Sequence, residues 1–135
     1  MAGTKNKVVL VVDDDKPTLS LVSMLLSGAG YQAETVVSGP AAISAVSRRV
    51  PDLVLLDILM PRMDGYATAR ELRKMLGNEL PIVALTGRAE RNRRQAVEAG
   101  FTGWIEKPFD VSSFLSIVRR HLEGKGPGFS EGEVD

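Results

Sequence analysis

The sequence predicts an α/β fold in which a five-stranded parallel sheet is covered by helices on both faces. Three observations point to it. Short apolar runs alternate with longer amphipathic stretches along most of the chain, the pattern of repeated strand–helix units. The first of those runs, Val8-Val9-Leu10-Val11-Val12, is apolar at every position, as a strand buried on both faces requires. The chain has 135 residues, a length that suits one domain and buries about two-thirds of the unfolded surface.

The elements follow in order. After the Val8 to Val12 strand, Pro17 to Ser27 places Leu19, Val22 and Leu26 on one helical face. Asp15 is its candidate N-cap and Gly28 its candidate stop. Gln32 to Val37 is a weaker strand. Ser38-Gly39-Pro40 opens a second helix carrying Ile43 and Val46. Leu53-Val54-Leu55-Leu56 is a second fully apolar strand, followed by a helix that Asp64 caps and Gly77 ends, with Ala69, Leu72 and Leu76 inward. Ile82-Val83-Ala84-Leu85 repeats the strand pattern. Arg88 to Ala99 is a helix poor in large apolar groups, with Val97 its inward residue. Gly103 to Glu106 is a short last strand, and Val111 to Leu122 closes the fold through Phe114, Val118 and Leu122. From Gly124 onward, Gly, Pro and acidic residues replace periodicity, as in a tail or linker stub.

Composition removes several functions. Lys+Arg 17 balances Asp+Glu 17, so the basic excess of a general nucleic-acid or membrane-surface binder is missing. There is no cysteine, which excludes disulfide scaffolds, thiolate zinc sites and cysteine nucleophiles. The early apolar run is too short for a membrane span. A cytoplasmic domain is the expectation.

Chemistry-bearing residues gather where strands end. Asp13-Asp14-Asp15 follows the first strand, Asp57 ends the third, and Lys107-Pro108 follows the fifth. Ligands of open α/β sheets bind outside the carboxyl ends of the strands, where strand order reverses. If the first and third strands are neighbours there, Asp13, Asp14 and Asp57 share one pocket. Two carboxylates about 4 Å apart repel by roughly 4 kcal/mol at an effective dielectric of about 20. A metal ion, a lysine or a proton must offset that. An oxygen-only donor set favours Mg²⁺ or Mn²⁺ over zinc or copper. Each signal alone is common as loop or cap chemistry; the weight lies in their combination. The single histidine, His121, is expected at the surface rather than in a phosphate relay.

The strings VVLVVDDDKPT, PDLVLLDILMPRMDGY, PIVALTG and GWIEKPFD, in that order, resemble the receiver domain of two-component response regulators. The resemblance spans residues 7–123 and leaves 1–6 as an extension and 124–135 as the tail. It implies a flavodoxin-like doubly wound sheet of order 2-1-3-4-5 with five helices, in a single domain. It also implies that Asp57 accepts a phosphoryl group from the phosphohistidine of a histidine kinase or phosphotransfer protein. By the same resemblance Asp14 binds Mg²⁺ directly, Asp13 acts largely through water, and the backbone carbonyl of Leu59 completes the protein ligands with Asp57. Thr86 then donates its hydroxyl to the phosphoryl group, Lys107 pairs with it, and Lys107-Pro108 is a candidate cis peptide. Trp104 stands where the family usually has Tyr or Phe in its switch, and Leu59 and Arg88 stand at positions that tune hydrolysis. Output is expected through the Arg88–Ala99 helix, the fifth strand and the last helix, toward a protein target and without direct contact to nucleic acid or membrane.

Two alternatives have distinct signatures. A degenerate receiver acting only as a binding module typically loses an acidic residue or the lysine, and this chain keeps all of them. A haloacid-dehalogenase-type phosphatase would carry Asp-x-Asp-x-Thr/Val after the first strand, and Asp13, Asp15 and Pro17 fail at the last place.

Overall fold

Five parallel strands form one sheet: β1 (Val8–Val12), β2 (Gln32–Val36), β3 (Leu53–Asp57), β4 (Ile82–Thr86) and β5 (Gly103–Glu106), in the spatial order β2-β1-β3-β4-β5. The computed structural model describes residues 6–87 and 92–125. The connecting helices are α1 (Lys16–Gly28), α2 (Gly39–Arg48), α3 (Gly65–Leu76), α4 (Arg93–Ala99) and α5 (Val111–Leu122). This is the flavodoxin-like arrangement expected, with the order reversing between β1 and β3.

Alternation of side chains along each strand divides the core in two. Leu10, Val12, Val54, Leu56, Ile82, Ala84 and Trp104 face α2, α3 and α4. Val9, Val11, Leu53, Leu55, Val83, Leu85 and Ile105 face α1 and α5. β1, β3 and β4 are buried at every position, which is why they are apolar at nearly every position. β2 is an edge strand with two exposed residues, Gln32 and Thr35, and three half-buried ones, and reads correspondingly mixed as QAETV.

All five helices have a side-chain acceptor as N-cap, Asn92 accepting from the Gln95 amide at the start of α4. Asp15 accepts from the Thr18 amide, Ser38 from Ala41, Asp64 from Ala67 and Asp110 from Ser113. Three details differ from expectation. Helix α1 runs through Gly28 and reverses at Gly30 (φ 94°), because Gly30 and Tyr31 donate back to Ser27 and Leu26. Helix α4 begins after an Asn92 cap and buries Ala96 and Ala99, so Val97, about 100° around the helix from Ala96, points outward and is 52% exposed. His121 is buried, its Nδ1 3.0 Å from the Ile117 carbonyl and its Nε2 3.3 Å from that of Thr102. Packing of the last turn of α5 against the segment entering β5 accounts for that burial. Arg88 and Arg91, residues 1–5 and residues 126–135 lie outside the described residues. No described helix is long and apolar enough to cross a membrane.

Candidate metal and phosphoryl site

Adjacency of β1 and β3, set by the Val9–Leu53 to Val12–Leu56 register, brings the two acidic strand ends together. Asp13 is fully buried just beyond β1 and Asp57, the last residue of β3, is nearly so, while Asp14 is exposed. One oxygen from each of the three carboxylates lies within 4.8 Å of the others. No imidazole or thiolate joins them, so the donor set fits a hard cation such as Mg²⁺ or Mn²⁺.

Lys107 supplies the balancing charge. The β4–β5 pairing carries its backbone amide to the Thr86 carbonyl at 2.8 Å. Its Nζ then lies 2.9 Å from Asp13 Oδ2 and 3.5 Å from Asp57 Oδ1. Burial alone would lower the lysine's pKa, but the bond to Asp13 and the charges of Asp57 and Asp13 outweigh it and raise the pKa. Asp57 moves the opposite way for a carboxylate in an ion pair. Burial first, then the charge of Asp13, push it up to about 7, against the pull of Lys107 and the Leu59 amide. Asp13 has its other oxygen occupied, accepting from the Asp15 amide at 2.9 Å. Asp15 itself belongs to the α1 cap, where the Thr18 hydroxyl and amide hold its carboxyl below the usual range.

The remaining candidates surround this pocket. Leu59 is 67% exposed, and its amide reaches Asp57 Oδ1 at 3.4 Å. Thr86 is buried at the end of β4, and its hydroxyl donates to the Gly87 carbonyl at 2.9 Å. Trp104 is fully buried opposite Ala84 on β5, and strand alternation puts its side chain on the same side of the sheet as that of Thr86. The Lys107–Pro108 peptide is cis. Beyond it, Phe109 stacks on Phe114 with ring centroids 4.9 Å apart. Thr18, Leu21, Lys107, Pro108 and Phe109 line a cleft of about 380 Å³ beside the lysine. Gly65, which sequence reading passed over, opens α3 against the Asp57–Ile58 backbone, its amide donating to the Ile58 carbonyl at 2.8 Å. The Asp64-Gly65 pair inside DILMPRMDGY was the signal available for it.

Comparison with known proteins agrees with this geometry. Residues 9–119 match the model of the response regulator receiver domain family. The response regulator MprA of a Mycobacterium species is 37% identical over 120 residues, which cover 88% of this chain and 52% of MprA. The chain thus spans about half the length of the curated relatives it matches. Among solved structures, the receiver domain of NtrX from Brucella abortus is 37% identical with a TM-score of 0.77, covering 85% of this chain and 98% of that one. The receiver domain of the sensor histidine kinase PA1611 from Pseudomonas aeruginosa is 29% identical with a TM-score of 0.79, covering 87% and 98%. That structure holds a magnesium ion in its active-site cleft.

Proposed function

The chain belongs to the response regulator receiver family, the signalling domains of two-component systems, and from that premise we propose that it takes a phosphoryl group onto Asp57. The donor is the phosphohistidine of a histidine kinase or phosphotransfer protein, in the cytoplasm. The observation that carries this reading is the convergence of Asp13, Asp57 and Lys107 from three separate strand ends, with Nζ 2.9 Å and 3.5 Å from the two carboxylates.

Asp57 is the nucleophile. One carboxylate oxygen forms the O–P bond as the P–N bond of the phosphohistidine breaks. The electron pair stays on the imidazole nitrogen, which takes a proton from solvent. Asp13, Asp14, Asp57 and the Leu59 carbonyl would hold Mg²⁺ or Mn²⁺, which when bound offsets charge on the phosphoryl oxygens. Lys107, already positioned by Asp13, supplies a second positive charge to one of those oxygens. Thr86 exchanges its bond to the Gly87 carbonyl for one to the phosphoryl group. That exchange couples the site to the segment after β4, to α4, β5 and α5, and so to a protein target. A ligand shifts such an equilibrium only by contacting one state better than the other, and the Thr86 hydroxyl is the group that makes the difference. Turnover is limited to gain and loss of this one phosphoryl group, so the domain is a switch rather than an enzyme for a separate substrate.

Incubation with acetyl phosphate and Mg²⁺, read by intact mass, should add one phosphoryl group to the wild type and none to Asp57→Asn. Equal labelling of the two would refute the assignment.

A further inference from the structure

Gly65 is the first residue of α3, and a Cβ built on it would lie 2.4 Å from the Asp57 carbonyl oxygen and 2.6 Å from Ile58 Cα. Both are backbone atoms of the strand end that carries the phosphoacceptor. Gly65 is not among the glycines with positive φ, so space rather than conformation excludes a side chain here. Neither side of the contact is free to yield. Asp57 is paired with Leu85, the Ile58 amide donates to the Leu85 carbonyl, and α3 is anchored by buried Tyr66, Ala69 and Leu72. A methyl group at 65 would have to open the 2.4 Å contact to at least 3.0 Å by moving the Asp57–Ile58 backbone or the start of α3. Among the described residues the Asp57 side chain has two long contacts, the Leu59 amide at 3.4 Å and Lys107 Nζ at 3.5 Å. The aim of the carboxylate therefore follows its backbone.

We propose that Gly65 is a positioning residue for the phosphoryl site. The missing side chain lets α3 seat directly on the Asp57–Ile58 peptide and sets the direction of both the Asp57 carboxylate and the Leu59 carbonyl. This rests on the reading of Asp57 as phosphoacceptor and adds a determinant to it.

Gly39 provides the comparison. Its Cβ would lie 2.3 Å from Thr68 Oγ1 and 3.0 Å from Met63 Sδ, a contact as short as that at Gly65 but made with side chains and not with the Asp57 backbone. Gly65→Ala and Gly39→Ala are measured beside wild type for unfolding by urea, for acetyl phosphate labelling across a Mg²⁺ titration, and for Mn²⁺ binding by electron paramagnetic resonance. All three are made also in the Gly28→Ala background, because a Cβ at that helical position meets nothing within 4 Å and should strengthen the fold. A displacement approaching 1 Å should slow labelling of Gly65→Ala by about a hundredfold and weaken Mn²⁺ binding. In Gly39→Ala, labelling and Mn²⁺ binding should stay near wild type whatever stability is lost. Labelling and Mn²⁺ binding unchanged in Gly65→Ala, or losses in both variants that track stability alone, would overturn the proposal. A wild type that binds Mn²⁺ but is not labelled at all would instead refute the phosphoacceptor reading, and this inference with it.

Discussion

Helices α3 and α4 cover the same face of the sheet, yet they are held to it in different ways. Helix α3 spans 12 residues, buries Tyr66, Thr68, Ala69 and Leu72, and touches the backbone of the strand end that carries Asp57 through Gly65. Helix α4 spans 7 residues and buries only Ala96 and Ala99, leaving Val97 in solvent. At its C-terminal end the Arg73 guanidinium of α3 donates to the Gly100 carbonyl at 2.6 Å and 3.0 Å. Methyl groups contribute far less burial energy than Leu or Tyr side chains. The lesson is a difference in attachment: the element beside Asp57 is fixed, and the element that follows Thr86 is lightly held.

The sharpest test separates chemistry from response. Asp14→Ala should abolish Mg²⁺-dependent labelling and Asp13→Ala should weaken it. Thr86→Ala should still be labelled but should lose the fluorescence change of Trp104 on beryllofluoride binding. Loss of labelling in Thr86→Ala would show that the two sides are not separable.

Next in size is the packing difference itself. Leu72→Ala should cost about 2–5 kcal/mol in urea unfolding, whereas Val97→Ala, on the exposed face of α4, should stay within about 0.5 kcal/mol. Similar costs would erase the contrast.

The third test uses pH. Asp57 is raised in the folded protein from 3.8 to about 7, so the folded state binds that proton more tightly than the unfolded state. Its contribution to stability is therefore greatest below the unfolded value and is lost as pH rises through about 7. Without divalent metal, urea midpoints for the wild type should fall between about pH 5 and about pH 8, and Asp57→Asn should flatten that slope. An unchanged slope in the variant would assign the effect to other groups. Smallest is Gly28→Ala, which should raise stability by about 0.4–1 kcal/mol through helix propensity alone, with labelling untouched.

Most of the fixed side was legible in sequence. Val8–Val12 and Leu53–Leu56 are apolar at every position because both of their faces are buried, and a strand end with three aspartates is conspicuous at that spacing. The lightly held side was not. Alanine carries almost no weight in hydrophobic periodicity, so Val97 looked like the inward residue of a helix that in fact docks through Ala96 and Ala99. His121 read as a surface group because its burial depends on the Thr102 carbonyl, 19 residues away in the chain. Lys107 was legible as a partner for phosphate, but its bond to Asp13 depends on how the two loops fold over the sheet edge. Gly65 was marked by its place after Asp64 but not explained by it: a glycine needed for room looks the same in sequence as one needed for a turn.

Trp104 on β5 faces Ala84 across the β4–β5 pairing, the largest side chain beside one of the smallest, and no part of the indole is exposed. In evolutionary terms the two positions form a single volume shared unequally. A larger residue at 84 becomes tolerable only after 104 has shrunk, and a smaller residue at 104 leaves room that a larger residue at 84 can fill. Histories of this lineage should therefore show the two sites changing in a fixed order, first 104 and then 84, with the reverse order blocked by overpacking.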